Sequence, residues 1–207
     1  MSAALRLEGR LGRGWVVVVL LAVFVPFYVV YFRSDAAFSL AHARAACGGR
    51  SVLDTHWGYS AATAQQYLAA CGASGRHAVV AQQLADLVYP LLYALALGSI
   101  VAVLLRAVAP ARSRWHLLVF LPFVAAAADY VENIGVWQRL IAYPSRGTAV
   151  PFFSAVTASK QALGFAGFAL VGALLIALIV RGAARRSTER GLTHAAYPVA
   201  ISKGTAQ

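Results

Sequence analysis

Four long runs of apolar residues, separated by arginine-bearing connections, constrain this chain more than any other feature. They cover about 14–32, 79–105, 117–137 and 161–180. A helix rises about 1.5 Å per residue, so each run can cross roughly 30 Å of hydrocarbon. Inside a bilayer every backbone polar group must find its partner within the protein, so such segments are expected as helices. Composition agrees. A soluble domain carries about a quarter charged residues, whereas this chain carries 12%, with only seven acidic residues. The expected fold class is all-α: a four-helix transmembrane bundle with a small extracytoplasmic helical loop region.

The first run could belong to a signal peptide. It is longer than a signal core, however, and no small-x-small site follows closely, so it reads as a signal anchor. The expected organisation is a cytoplasmic N-terminus over 1–13, a membrane domain over 14–180 with an outer loop at 33–78, and a basic cytoplasmic tail over 181–207, expected to be disordered. Trp15, Tyr28, Tyr31, Trp115, Trp137 and Tyr143 fall near run ends, where an aromatic belt belongs.

The formal charge is +11. No motif of a nucleic-acid-binding fold accompanies it, so the basic residues read as topology determinants and headgroup contacts. Arg6, Arg10, Arg13, Arg106, Arg112, Arg114, Arg181, Arg185, Arg186, Arg190 and Lys203 cluster on the N-terminus, the short second connection and the tail. Arg33, Arg44, Arg50, Arg76, Arg139, Arg146 and Lys160 are spread over the longer first and third connections. The positive-inside rule then places both termini in the cytoplasm. Arginine, alanine and glycine abundance suggests a GC-rich bacterial source, and hence a plasma (inner) membrane.

The outer loop carries the only two cysteines. Asp35 can cap a helix over Ala36 to Ala46, stopped by Gly48-Gly49. Ser60 can cap another over Ala61 to Cys71, stopped by Gly72. Cys47 and Cys71 would each end one of these helices. In an oxidising compartment they can pair, and closing that loop is worth about 3 to 4 kcal/mol. A redox pair and two unpaired thiols are the alternatives, although the spacing is not Cys-x-x-Cys. The membrane disulfide-forming quinone reductases carry a cysteine pair in each of two outer loops, and here the third connection has none. Claudin-like proteins place both cysteines after a tryptophan motif, and here Trp57-Gly58-Tyr59 lies between them. The chain departs from both patterns. His42, His56 and His77 lack tight ligand spacing, so they read as surface histidines and no metal site is expected.

The most informative residues lie inside the runs. Asp86, Tyr89 and Tyr93 belong to the second, Asp129, Glu132 and Asn133 to the third, and Lys160 heads the fourth. Ionisable groups at this depth are costly and face a bundle interior or a cavity. Asp129, Glu132 and Asn133 stand at i, i+3 and i+4, hence on one helix face. Asp86, Tyr89 and Tyr93 share another, with Pro90 loosening the backbone of that turn. The up-and-down order of the spans puts all of them in the outer half of the bilayer. Gln82, Gln83, Tyr130, Thr157 and Gln161 can add hydrogen bonds. Three carboxylates against one lysine leave acid in excess, to be met by a proton, a cation or an amine. The alternative is a polar network that locks three helices in register.

At these residues the chain resembles uncharacterised bacterial four-span integral membrane proteins. The stretches carrying the resemblance are Gly58-Tyr59-Ser60, Gly75-Arg76, Asp86-Leu87-Val88-Tyr89-Pro90-Leu91-Leu92-Tyr93, Asp129-Tyr130-Val131-Glu132-Asn133 and Tyr143-Pro144. It spans about 52–180 and implies no activity.

Small residues at Ala162, Ala166, Ala169, Ala173 and Ala177, with Gly164, Gly167 and Gly172, allow close packing of the fourth span within the bundle or against a second copy. No phosphate loop, nucleotide fingerprint, metalloprotease motif or serine-nucleophile motif occurs, so no cofactor is expected. The expected partners are the lipid bilayer and another membrane protein or a homo-oligomer. The leading expectation is a non-enzymatic accessory or scaffold component. A proton, cation or small-ligand binding or transport unit using the intramembrane cluster is the alternative, and a membrane enzyme acting on a lipid or isoprenoid is the third.

Overall fold

The computed structural model describes residues 2–111, 113–145 and 149–196. Arg112, Arg146, the Arg190 side chain and residues 197–207, with Lys203, lie outside the description, and with them part of the charge pattern used for orientation.

All regular structure among the described residues is helical. The helices are α1 (Ser2–Leu11), α2 (Gly14–Arg33), α3 (Leu40–Ala46), α4 (Ala61–Ala85), α5 (Tyr89–Val108), α6 (Leu121–Ala142) and α7 (Val150–Ala196), with short 3-10 turns at Leu53–Thr55 and Arg114–Phe120. Four helical stretches are long and apolar enough to cross a membrane: Gly14–Arg33, Ala61–Val108, Arg114–Ala142 and Val150–Thr188. Helix α5 is central and packs on α1, α2, α6 and α7, while α7 also packs along α6. Helix α2 rests on α5 and on α3. Its Val18, Val19, Val23, Val25 and Val29 are exposed, as lipid-facing residues would be.

The second span differs from the run read in the sequence. Helix α4 ends at Ala85, residues 86–88 form a turn, and α5 starts at Tyr89. Pro90 therefore sits in the first turn of a new helix rather than inside a continuous one. A proline ring clashes with the carbonyl four residues back, here that of Asp86, and cannot donate to it. Two carbonyls at the break are taken up by α6 instead. Asn133 Nδ2 donates to Asp86 O at 3.2 Å, and Tyr130 Oη donates to Leu87 O at 2.8 Å.

The cap over this end of the bundle also starts differently. Ser39, not Asp35, caps α3, its Oγ accepting from His42 N at 3.0 Å. Residues 34–38 turn before it, with Ser39 Oγ donating to Ser34 O at 2.6 Å. Ser60 does cap α4 through Thr63 N at 3.0 Å. Gly72, at φ 62° and ψ −169°, breaks the helical path at the stop expected from the sequence, so that α4 is two helical segments joined at a kink. Only glycine enters that region freely. The Cys47 and Cys71 sulfurs stand at disulfide distance, 2.11 Å, within a core of Leu53, Tyr67, Leu68 and Val79.

At the opposite end three findings depart from expectation. Residues 2–11, read only as a charged terminus, form α1, which buries Ala4 and Glu8 against the bundle. The third span is prefaced by a 3-10 turn, because Pro122 starts α6. The tail, expected to be disordered, continues α7 as far as Ala196. Alanine and arginine are strong helix formers, and no proline intervenes before Pro198.

Within the α5–α7 bundle, glycines set the helix spacing at two places. A methyl group at Gly135 would collide with the Phe153 ring, and one at Gly98 would meet Phe123 Cε2 at 2.8 Å. Helix α6 approaches α7 and α5 this closely because those positions have no side chain. Gly164 and Gly172 face open space, and a methyl at Gly167 would stand 3.2 Å from Leu97. The small-residue stripe of α7 is thus only partly a packing surface.

Candidate functional site

The seven polar residues singled out in the spans meet at the cap end of the bundle. The α4–α5 break places Asp86, and the first two turns of α5 place Tyr89 and Tyr93. One face of α6 supplies Asp129, Glu132 and Asn133, all buried. Helix α7 supplies Thr157 and Lys160. The expected i, i+3, i+7 helix face for Asp86, Tyr89 and Tyr93 does not exist, because Asp86 precedes the helix. The three residues nevertheless line one cavity.

Two subsets differ in chemistry. In the first, the Lys160 ammonium pairs with Glu132 and lies 3.2 Å from Asp129 Oδ1. The single Thr157 Oγ1 hydrogen is shared between Glu132 Oε1 at 2.5 Å and the Phe153 carbonyl at 3.0 Å. Glu132 has no solvent exposure. This subset clamps α6 to α7. A buried carboxylate is tolerable only with such partners.

The second subset surrounds Asp86, which is 3% exposed. Tyr31 Oη, from the end of α2, donates to Asp86 Oδ1 at 2.8 Å. Gln82 Nε2 donates to Tyr31 Oη, and Gln83 Nε2 to Gln82 Oε1 at 3.3 Å. Four buried side chains thus form a hydrogen-bond chain that ends on a carboxylate, an order in which each donor polarises the next. Tyr31, read as a belt aromatic, is instead buried. Only its place beside the charged break distinguishes it, and that proximity is tertiary.

Asp86, Asp129, Lys160, Tyr89 and Tyr93 line a cavity of about 580 Å³. Phe24, Tyr28 and Phe32 of α2 add aromatic walls. The ring centroids of Tyr31 and Tyr89 lie 5.4 Å apart, and those of Tyr89 and Tyr93 5.2 Å. Leu40 and Thr55 of the cap contribute to the lining at this end. Away from the charges the lining turns apolar, through Leu97, Ile100, Leu163, Gly164, Gly167 and Phe168. Helices α2 and α7 both line the cavity, yet each packs mainly on other helices.

Two other cations at this end are engaged elsewhere. Arg139 donates to Ser145 O at 2.9 Å, and the Arg76 guanidinium lies 4.5 Å over the Tyr143 ring. Among the described residues no group of three or more histidine, cysteine or carboxylate side chains is arranged to hold a metal ion.

A second buried polar pair, not anticipated from the sequence, lies at the other end. His116 Nδ1 is 2.8 Å from Glu8 Oε2, and its Nε2 is 3.0 Å from Pro110 O. The carbonyl can only accept, so Nε2 carries hydrogen. The pair pins α1 to the connection before α6. No regular spacing marked it, since 108 residues separate its members.

No family model, curated protein or solved structure matches this chain.

Proposed function

We propose that this chain is a multi-pass protein of a bacterial plasma membrane, with both termini cytoplasmic, that binds a small amphiphilic molecule drawn from the bilayer. The observation that carries this reading is the cavity of about 580 Å³ joining Asp86, Asp129 and Lys160 to an apolar channel. Ligand sites fall at about 300 to 1,000 Å³ and pair an apolar lining with a few convergent polar groups. The arginine distribution supports the orientation, which puts the cap and the charged pole on the extracytoplasmic side. Membership of the bacterial four-span group named above is part of the same proposal.

Glu132, Thr157 and Asn133 fit the role of a structural lock, since their contacts hold α5, α6 and α7 together. An accessory or scaffold function accounts for that lock but leaves the cavity without a role. We therefore place ligand binding first. The test is native mass spectrometry of protein extracted gently from its own membrane, beside Gly164→Phe. Gly164 lines the cavity, and a side chain there meets open space. A small molecule retained by the wild type and absent from the folded variant is the expected result. Identical small-molecule content in both, or a protein partner alone, would overturn the reading in favour of a scaffold.

A further inference from the structure

We infer that the cavity takes a lipophilic cation: one positively charged nitrogen, as an amine or quaternary ammonium, carried on an apolar tail. This inference rests on the reading of the cavity as a binding site and names the ligand class it selects.

Charge balance is the first argument. Three carboxylates, Asp86, Asp129 and Glu132, stand against a single ammonium, Lys160, in this cluster. Lys160 is already shared between Asp129 and Glu132. An anionic headgroup would be repelled by these carboxylates and a neutral one would gain nothing from them, whereas a cation is attracted to them.

The walls beside the carboxylates are the second argument. Tyr31 and Tyr89 stack with nearly parallel rings, 19° apart, and Tyr93 and Phe32 stand at steep angles to Tyr89. Aromatic faces carry negative potential, and rings set around a carboxylate suit an alkylated nitrogen better than a metal ion. A hard metal cation demands six or more oxygen ligands. The cavity instead offers rings, aliphatic side chains, two carboxylates and one ammonium, that of Lys160.

The third argument is the shape. The lining runs along α5 from Tyr89 to Ile100, about 17 Å of helix axis, with Gly164 and Gly167 of α7 facing it. A charged head at Asp86 would therefore point its tail toward the bilayer interior, along an apolar track.

The test uses the full-length chain in phosphatidylcholine nanodiscs and three radiolabelled probes sharing one tail: dodecyltrimethylammonium, dodecanol and dodecyl sulfate. The cation is expected to bind saturably at one per chain, and the neutral and anionic probes only to partition. Asp86→Asn should weaken the cation about tenfold or more, and Gly164→Phe should abolish its saturable binding. If Asp86→Asn fails to fold, Tyr93→Leu reads the same point through the rings, by a several-fold loss confined to the cation. Dodecanol binding as tightly as the cation, with Asp86→Asn changing neither, would overturn the ligand class while leaving the cavity a binding site. Purely non-saturable uptake of all three probes, unaffected by Gly164→Phe, would overturn both the inference and the reading beneath it.

Discussion

Tyr31 Oη and Asp86 Oδ1 lie 2.8 Å apart, across 55 residues of sequence, and tie the end of α2 to the break before α5. The same tyrosine stacks on Tyr89. Helix α2 turns much of its surface outward, and its other holds on the bundle are its packing on α5 and α3 and the contacts of Phe24 and Phe32 with Tyr89. Tyr31→Phe keeps the ring and removes the hydroxyl, taking a donor from Asp86 and an acceptor from Gln82. Hydrogen bonds between spans are worth about 0.6 to 2 kcal/mol. Thermal unfolding in detergent should show a midpoint lowered by a few degrees, and an unchanged midpoint would mean the bond has no net worth.

Lys160 offers a sharper contrast. Lys160→Met strands Glu132 in a site with no solvent, and breaking a buried pair in this way costs about 3 to 5 kcal/mol. Adding Glu132→Gln removes the stranded charge and keeps an acceptor for Thr157. The double variant should regain much of the stability lost by the single one. Denaturation of both beside the wild type checks this; equal loss in the two would show that Glu132 is not what Lys160 serves.

Two glycines should respond in opposite directions. Gly135→Ala pushes a methyl into the Phe153 ring and should cost about 1 to 3 kcal/mol. Gly164→Ala meets nothing, and alanine is the better helix former by about 1 kcal/mol, so stability should hold or rise. The comparison is a matched pair of melting curves. A stability loss at Gly164 as large as that at Gly135 would contradict the open space described beside it.

The cysteine pair closes a loop with a sequence separation of 24 residues. Cys47→Ser/Cys71→Ser should destabilise the cap by about 3 to 4 kcal/mol on the loop-entropy model. Its effect should be local, because Cys47 and Cys71 sit in the cap core and not in the α5–α7 packing. Hydrogen exchange should quicken over 40–80 and stay slow over 94–108. Faster exchange throughout both segments would show that the cap and the bundle unfold as one unit.

His116→Leu removes the partner of Glu8, a group only 1% exposed. A carboxylate left buried alone favours release of α1 into water. With Ala4→Cys as a reporter at a fully buried position, labelling by a polar maleimide should be slow in the parent and rapid in the His116→Leu background. Slow labelling in both would mean that apolar contacts alone hold α1.

The polar cluster was legible residue by residue, because a charge in an apolar run is conspicuous and helical spacing assigns Asp129, Glu132 and Asn133 to one face. How the cluster divides was not. Glu132 and Lys160 form a clamp while Asp86 faces a cavity, and that division depends on where α2 and α7 lie. Tyr31 and the Glu8–His116 pair were missed for the same reason: nothing local distinguishes a tyrosine at a span end or a glutamate among arginines.

By itself the sequence determined the helical class and the four apolar stretches, since a bilayer-length run leaves the backbone no other way to pair its own hydrogen bonds. It also determined the Ser60 cap and the stop of the first helical segment at Gly72, which are decided within a few residues. Tertiary structure alone decided that α5 begins afresh at Tyr89. Pro90 cannot donate to the Asp86 carbonyl, and the break persists because Asn133 and Tyr130, more than forty residues away, donate to the Asp86 and Leu87 carbonyls. It decided the cavity as well. A cavity is the space left between helices, and no residue encodes it until its neighbours have been placed.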